Sequence, residues 1–219
     1  DMTVSQAVEK VVGVKPFVME ALAGGLLNIS SLSRSITPEV QNLIGKEVKQ
    51  GAIVMSLNRM MHKLGKSNIW NFNSMFKELG DIVVRSNLVD YTFRNSTSIL
   101  DCHSKLMNEI CNRPEVFYTM VRGVFESNLV VGASLTKQVE EVFAKEECKL
   151  VQHNLSAVTL ALPYSNSSEV GYYYQIMKYI AWEGINVREV ISTTNEFTVI
   201  VGEEDVDRAF ATLKRLKKI

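Results

Sequence analysis

The segment Asn87-Leu-Val-Asp-Tyr-Thr-Phe93 is matched by Asn154-Leu-Ser-Ala-Val-Thr-Leu160, 67 residues later in the chain. A second pair, Leu129-Val-Val-Gly132 and Val199-Ile-Val-Gly202, follows at an offset of 70 residues. The three additional residues of the second copy fit in the loop Pro163–Ser168. Self-similarity at the scale of a small domain predicts two copies of one structural unit.

Both copies show the same order of predicted elements. Strands are indicated by β-branched and aromatic residues, and helices by apolar residues three or four positions apart. In the first copy the pattern predicts a strand at 87–93, a helix at 97–111, strands at 116–122 and 125–131, and a helix at 135–146. In the second copy it predicts a strand at 155–162, a helix at 169–182, strands at 186–192 and 196–201, and a helix at 204–216.

This order predicts an α+β fold made of two ferredoxin-like units. A β–α–β–β–α unit gives an antiparallel sheet with its helices on one face, and the right-handed crossover narrows the topology to ferredoxin-like βαββαβ. A fourth strand is then needed in each unit, and Lys149–His153 supplies it for the first, 81–153. The second, 154–219, ends without one, so we predict that Asp81–Arg85 crosses over and interleaves the two units.

The second copy carries a recognisable set of segments, from Pro163 to Leu216. They are the loop Asn166-Ser-Ser-Glu-Val-Gly171, the helix 172–183, the turn Gly184-Ile-Asn-Val187, the strand pair 192–201 and the segment Glu204-Asp-Val-Asp-Arg-Ala209. Together they resemble the ACT domain, and most closely the tandem ACT modules of aspartokinases. The resemblance extends to the first copy through the repeat. It implies a regulatory protein that binds a small amino acid and pairs with a second copy as a homodimer.

The residues of the predicted ligand site suit an amino acid. The loop before the helix offers backbone N–H groups and the positive end of the helix dipole to a carboxylate. Gly171 allows close approach, and the Asn186 side chain offers both a donor and an acceptor. The predicted ligand contacts are Asn166, Ser168, Val170, Gly171, Asn186 and Val187, the valines through their backbones, with Ser165, Ser167 and Glu196 as weaker candidates.

A purely structural interpretation of the same residues stays open. Gly184 also suits a helix C-cap and Ser168 an N-cap, and many modules of this type serve only in assembly. In the first copy the equivalent loop is Asn95-Ser-Thr-Ser98, and the second strand follows Asn112-Arg-Pro114 without a glycine. We therefore expect a ligand in the second unit and not in the first.

Residues 1–66 predict an all-helical domain, followed by a linker at 67–80. Five helices are predicted: one from Thr3 to Gly13, one at 16–23, one at about 29–35, one from Thr37-Pro38-Glu39 to Gly45 and one at about 47–63. One interpretation is a helix-turn-helix in which Lys49, Gln50, Asn58 and Arg59 contact DNA, with Lys63 and Lys66 on phosphates. The linker 35–46 is long for such a turn, and six Lys and two Arg against five acids give only a small basic excess. A domain for dimer or partner contacts is the alternative.

The composition excludes several other classes of protein. Hydrophobic residues make up 46% of the chain, charged residues 22%, and the formal net charge is zero, which is typical of a folded globular protein. No apolar run approaches the roughly 18 residues of a membrane span. The three cysteines predict free, mostly buried thiols in a reducing cytoplasm, and His103 lies on an apolar helix stripe as a core residue.

The sequence therefore predicts a non-catalytic regulatory protein without cofactor or metal. The lysine- and glycine-rich opening of an aspartokinase catalytic domain has no counterpart here, so kinase activity is not expected. Two further functions stay open: a DNA-binding transcriptional regulator, or an assembly module for a separate amino-acid biosynthetic enzyme. Salt-dependent DNA affinity would distinguish the first from the second.

Overall fold

In the computed structural model, residues 2–65, 76–164 and 170–218 are described. The chain divides into two compact units, Asp1–Asn71 and Phe72–Ile219. The division falls within the segment 67–80 that the sequence predicts as a linker.

The N-terminal unit is helical. Its helices are α1 (Val4–Gly13), α2 (Pro16–Ala23), α3 (Ile29–Ile44) and α4 (Gln50–Gly65). Thr3 caps α1 in a reciprocal capping box with Gln6, and the Asn28 side chain accepts from the N–H of Ser31 at the start of α3. The helices share an apolar core whose fully buried members include Ala7, Val8, Val12, Leu22, Val40, Ile53 and Leu57.

The predicted break at Thr37-Pro38-Glu39 is wrong, because α3 continues through Pro38. A proline inside a helix removes one backbone hydrogen bond and normally ends or kinks the helix. Here Ile36 and Val40, on either side of Pro38, are buried in the same core. The Thr37 hydroxyl also donates to the carbonyl of Ser33 at 2.7 Å. Tertiary packing therefore holds both halves in one helix.

The C-terminal unit contains the repeat. Its elements are β1 (Ile82–Arg94), α5 (Ile99–Ile110), β2 (Tyr118–Arg122), β3 (Glu126–Gly132), α6 (Thr136–Val142), β4 (Cys148–Ala161), α7 (Tyr172–Trp182), β5 (Val187–Ser192), β6 (Glu196–Gly202) and α8 (Val206–Leu216). A 3₁₀ turn leads into α6 at Ala133–Leu135, and another leads into α8 at Glu203–Asp205. The helix predicted at 135–146 ends earlier than expected, at Val142.

All six strands form one antiparallel sheet in the order β2-β3-β1-β4-β6-β5. The two long central strands belong to both copies. The second half of β1 pairs with β3, and Asp90, Tyr91 and Thr92 pair with the first half of β4. Ile82–Arg85 pairs with Ala157–Leu160, next to β6. Each copy therefore has the ferredoxin-like strand order, and the predicted exchange of Asp81–Arg85 into the second unit is confirmed.

Two asparagines mark the points where the long strands pass from one copy to the other. Asn87 in β1 has φ +60° and Asn154 in β4 has φ +56°, both in the left-handed region. The pairing register shifts between Arg85 and Leu88, next to the first of them. Asparagine tolerates this conformation better than the other non-glycine residues of a strand. The repeated asparagine therefore places a bend in each long strand at the same point of both copies.

Each face of the sheet carries a cluster of buried side chains. Against α5 and α6 the core of the first copy includes Val89, Tyr91, Phe93, Leu106, Leu129, Val131 and Phe143. On the other face, a second cluster combines Leu88 and Val130 of the first copy with Leu155, Ala157 and Ile200 of the second. β3 and β5 are far apart in the strand order, yet Asn128 of β3 donates to Glu189 of β5 at 2.6 Å. This contact shows that the sheet is curled.

The cysteines differ in part from expectation. All three are free, and Cys102 is buried in the core of the first copy, but Cys111 and Cys148 are exposed. Cys111 follows the last turn of α5 and Cys148 begins β4, positions outside the packed faces of the sheet.

Candidate functional site

The start of α7 is the first of two places to which the predicted ligand residues are assigned. Gly171 has φ +109° and occupies the N-cap position of α7, and Val170 before it is 91% exposed. The N-terminus of a helix carries the positive end of its dipole. Ser165, Asn166, Ser167 and Ser168 lie outside the described residues.

The second place is the corner where β5 begins. Asn186 is exposed there, and its N–H donates to the Asp205 carboxylate at 3.5 Å. Arg208 donates to the same carboxylate and, as the largest cause, holds the pKa of Asp205 below its ordinary value. Gly184 has φ +68° just after α7, as a helix C-cap would. The Asp205 carboxylate at this corner is therefore buried and already paired with Arg208.

One chain does not bring these two places together. Gly171 precedes α7 and Asn186 follows it, and an eleven-residue helix is roughly 16 Å long. The Tyr173 hydroxyl bonds to the Ser192 hydroxyl at 2.8 Å, so the start of α7 lies beside the far end of β5 from Asn186. Glu196 pairs with Ala161 at the end of β4 and lies on the same side as the start of α7.

In the first copy, the chain itself fills the equivalent position before α5. The Glu146 carboxylate accepts hydrogen bonds from the Ser96 hydroxyl at 2.5 Å and the Ser98 hydroxyl at 2.6 Å. Ser96 in turn accepts from the N–H of Ile99 at 3.0 Å. The bond from Ser96 is the largest cause that lowers the pKa of Glu146, followed by the bond from Ser98. In the second copy the corresponding residue is Leu216.

Removal of the Glu146 carboxylate should destabilise the first copy. We expect Glu146→Ala to lower the free energy of unfolding by about 1–3 kcal/mol, because two hydrogen bonds to a charged acceptor are lost. Since the folded-state pKa is lowered, the contribution is present at neutral pH and is lost as the pH falls below about 4.5. Urea unfolding at pH 7 and pH 3.5 measures both effects.

The neighbouring Glu147 provides the control for this prediction. It forms an ion pair with Arg94 at 3.4 Å, and both side chains are at least 60% exposed. Exposed pairs of this kind contribute little, so Glu147→Ala should change the stability by no more than about 0.5 kcal/mol. Equal effects of the two substitutions would contradict the structural role assigned to Glu146.

Two carboxylates lie close together on the second face of the sheet, the buried Asp90 and the half-buried Glu189, and the sequence pattern did not indicate them. Asp90 is only 1% exposed, and the Asn128 amide donates to its oxygens at 3.4 and 3.5 Å and to Glu189 at 2.6 Å. Burial first, and then the charge of Glu189, raise the pKa of Asp90 to about 6. Burial also raises the pKa of Glu189. This pair is a candidate for pH sensitivity of the fold.

His103 is a core residue, as predicted. It is 4% exposed, its Nδ1 bonds to the Tyr118 hydroxyl at 2.9 Å, and its ring contacts Phe143 edge to face. Burial lowers the pKa of His103 to about 4, so the ring is neutral at physiological pH. Its Nε2 is buried without a hydrogen-bond partner among the described residues.

The residues predicted to contact DNA lie at the start of α4 and along it: Lys49, Gln50, Asn58 and Arg59. Gln50 donates to the Ser33 hydroxyl at 3.1 Å, and Arg59 donates to the Ser5 hydroxyl at 3.2 Å. Nine residues apart on a helix, Gln50 and Arg59 project about 180° from each other. The four residues therefore do not lie on one face of α4. Their role in DNA binding stays a prediction.

Comparison with known proteins identifies the fold of the C-terminal unit. No protein-family model and no curated protein matches the sequence. The ligand-free regulatory subunit of aspartate kinase from Thermus thermophilus matches with a TM-score of 0.50 at 12% identity, covering 63% of this chain and 98% of that one. A structure of aspartokinase α and β subunits matches with a TM-score of 0.51 at 14% identity, covering 64% and 99%. The fold is that of an aspartokinase regulatory domain.

The match to a complete enzyme is partial in length. Aspartate kinase from Clostridium acetobutylicum matches with a TM-score of 0.51 at 17% identity, covering 62% of this chain and 34% of that one. This chain thus spans about a third of that enzyme. Within the described residues, no helix is both long and apolar enough to span a bilayer.

Three polar residues that the sequence-based prediction did not include, Asp90, Glu146 and Asp205, could have been found by comparing the two copies of the repeat. At an offset of 70, Asp205 takes the place of the buried Leu135, and Leu216 takes the place of Glu146. At an offset of 67, Asp90 takes the place of the buried Ala157. A polar residue opposite a buried apolar one in the other copy indicates a specific partner, because burial without one is costly.

Proposed function

We propose that this chain is a non-catalytic regulatory protein that binds a small amino acid at its second regulatory unit, as a homodimer. The observation that carries the proposal is the regulatory-domain fold with Gly171 in the left-handed region at the start of α7. Without a Cβ at this position, a ligand carboxylate can approach the positive end of the α7 dipole closely. The start of α7 is the carboxylate end of the proposed site.

The amino end of the ligand is assigned to the Asn186 corner. There the exposed Asn186 side chain offers an acceptor to an ammonium group. Since Gly171 and Asn186 lie at opposite ends of α7, a small amino acid reaches both only if two chains contribute one end each. The proposed ligand site is therefore shared between two copies.

The edge of the sheet supports this pairing. β5 is the outermost strand of the order, and Val190 on it is 44% exposed. Antiparallel pairing of two β5 edges places the start of one strand beside the end of the other. The Tyr173–Ser192 bond fixes the start of α7 at the end of β5, so Asn186 of one copy would approach Gly171 of its partner.

A thermal-shift screen against the twenty amino acids at millimolar concentration tests the proposal. A ligand at about 100 times its Kd stabilises the folded state by about 2.7 kcal/mol, which raises Tm by several degrees. We expect one amino acid to give this shift and Asn186→Ala to abolish it. Asn108→Ala, an exposed asparagine on α5, is the matched control and should keep the response.

Light scattering of the same protein separates the two parts of the proposal. A dimer whose Tm responds to one amino acid supports both parts. A dimer without any response leaves only the assembly role and contradicts effector binding. A monomer that nevertheless responds contradicts the shared site, because the two ends of the ligand would then lie within one chain.

A further inference from the structure

The first unit contains a cavity of about 320 Å³ at the corner where β2 begins and β3 ends. Its lining includes two arginines, Arg85 and Arg113, and one acid, Glu115, together with Phe117 and Ser134. Arg85 Nη1 donates to the carbonyl oxygen of Glu115 at 2.9 Å, and Arg113 Nε donates to the carboxylate of Glu115 at 3.4 Å. A guanidinium carries five N–H donors, so both groups are positioned and keep donors for a further acceptor.

The second unit has the same corner at the end of β6, and a carboxylate occupies it. The side chain of Glu204 folds back over Gly202, so its carboxylate lies in the space that a Cβ at Gly202 would fill. Glu203, Glu204 and Asp205 form the acidic first turn that leads into α8. Carboxylates at this position are favoured by the positive end of a helix. The fold therefore accepts a carboxylate at this corner when one is present.

The first unit lacks that carboxylate and carries positive charge instead. At an offset of 70, Ala133 and Ser134 stand where the second unit has Glu203 and Glu204, and Arg113 stands where it has Glu183. The turn Ala133–Leu135 has no acid, and a Cβ on Gly132 would meet only the Ser134 hydroxyl, at 3.7 Å. The corner that a carboxylate fills in the second unit is open in the first, where two arginines outnumber the single acid Glu115.

We infer that the cavity of the first unit binds the carboxylate group of a small metabolite, in the place that Glu204 fills in the second unit. Arg85 and Arg113 supply charge-assisted hydrogen bonds, and the Ser134 hydroxyl offers a further donor. The side chain of Phe117 provides an apolar wall for the carbon chain of the ligand. This site is separate from the proposed amino-acid site, because no residue of α7 or β5 lines it.

Isothermal titration of the full-length protein with succinate, at constant ionic strength, tests the inference. Succinate carries carboxylates and no amino group, so it lacks the group that the Asn186 corner of the proposed amino-acid site would hold. We expect saturable binding at millimolar concentration, and a Kd at least about tenfold higher for Arg113→Gln, since a hydrogen bond to a charged group is lost. Arg122→Gln, on the exposed end of β2 and outside the cavity, is the matched control and should bind succinate as the unmodified protein does.

A second variant imitates the other unit. Ser134→Glu places an acid at the start of the helical segment, as Glu204 does, and should abolish succinate binding without loss of Tm, because Ser134 is exposed. Parallel titration with phosphate distinguishes a carboxylate site from a general oxyanion site. Absence of saturable succinate binding, equal binding by Arg113→Gln, or tighter binding of phosphate would overturn the inference. Loss of succinate binding in Asn186→Ala would assign it to the proposed amino-acid site instead.

Discussion

Residues 154–219 expressed alone should remain unfolded, although they contain one complete copy of the repeat. This fragment lacks Ile82–Arg85, the strand that covers one side of β4. It also exposes Leu155, Ala157 and Ile200, which pack against the first copy. Full burial of an aliphatic side chain contributes about 1.5–3 kcal/mol. Since domains are stable by only about 5–15 kcal/mol in total, losing this cover removes most of the stability.

Far-UV circular dichroism and the amide dispersion of a two-dimensional NMR spectrum measure this result. The matched control is the fragment 76–219, which keeps every strand of the sheet and should unfold in a single cooperative transition. A third chain, with residues 81–86 joined after Ile219 by a flexible linker, restores the edge strand without Leu88 and Val130. We expect it to order only partly. Well-dispersed signals from 154–219 alone would show that the interleaved strand is dispensable.

The interleaving of the two copies could be predicted from the sequence because the repeat showed that the second copy lacks one strand. Each copy had to form the same sheet, and the second ended after its final helix with one strand too few. Lys149–His153 supplied the fourth strand of the first copy, which left Asp81–Arg85, before Asn87, to supply that of the second. Strand existence and strand order were therefore accessible from periodicity and repetition, without any information about side-chain contacts.

Long-range contacts were not accessible in the same way. Pro38 predicts a helix end from local rules, yet the buried Ile36 and Val40 on either side keep α3 continuous. The link between Asn128 and Glu189 depends on how far the sheet curls, which the strand pattern does not specify. The ligand residues Gly171 and Asn186 were grouped by resemblance, and only the length of α7 shows that one chain separates them.

Asp90→Asn should stabilise the protein at neutral pH. Burial and the neighbouring Glu189 raise the pKa of Asp90 from 3.8 to about 6, so at pH 7 the folded state holds an unfavourable charge. A difference of about two pKa units corresponds to up to about 3 kcal/mol. Asparagine has the same shape, accepts from Asn128 as before and carries no charge. We expect Tm to rise by several degrees at pH 7.5.

The pH dependence of this effect has a definite sign. Between pH 3.8 and 6, the folded state retains a proton on Asp90 that the unfolded state has lost, so the wild-type stability falls as the pH rises through this range. The advantage of Asp90→Asn should therefore be small at pH 4, grow up to about pH 6 and stay constant above it. His103, whose pKa is lowered to about 4, gives the opposite slope between pH 4 and 6.5 in both proteins. Subtracting the two urea-unfolding curves cancels it.

Asp101→Asn is the matched control for Asp90→Asn. Asp101 is exposed in the first turn of α5, where an acid favours the helix, so its neutralisation should cost up to about 0.5 kcal/mol. A pH-independent gain from Asp90→Asn would assign the stabilisation to better hydrogen bonding with Asn128. A loss at neutral pH would mean that the Asp90 carboxylate has a positive partner in the folded state. Only a gain that grows between pH 4 and 6 shows that the fold disfavours the charged form of Asp90, through burial first and the charge of Glu189 second.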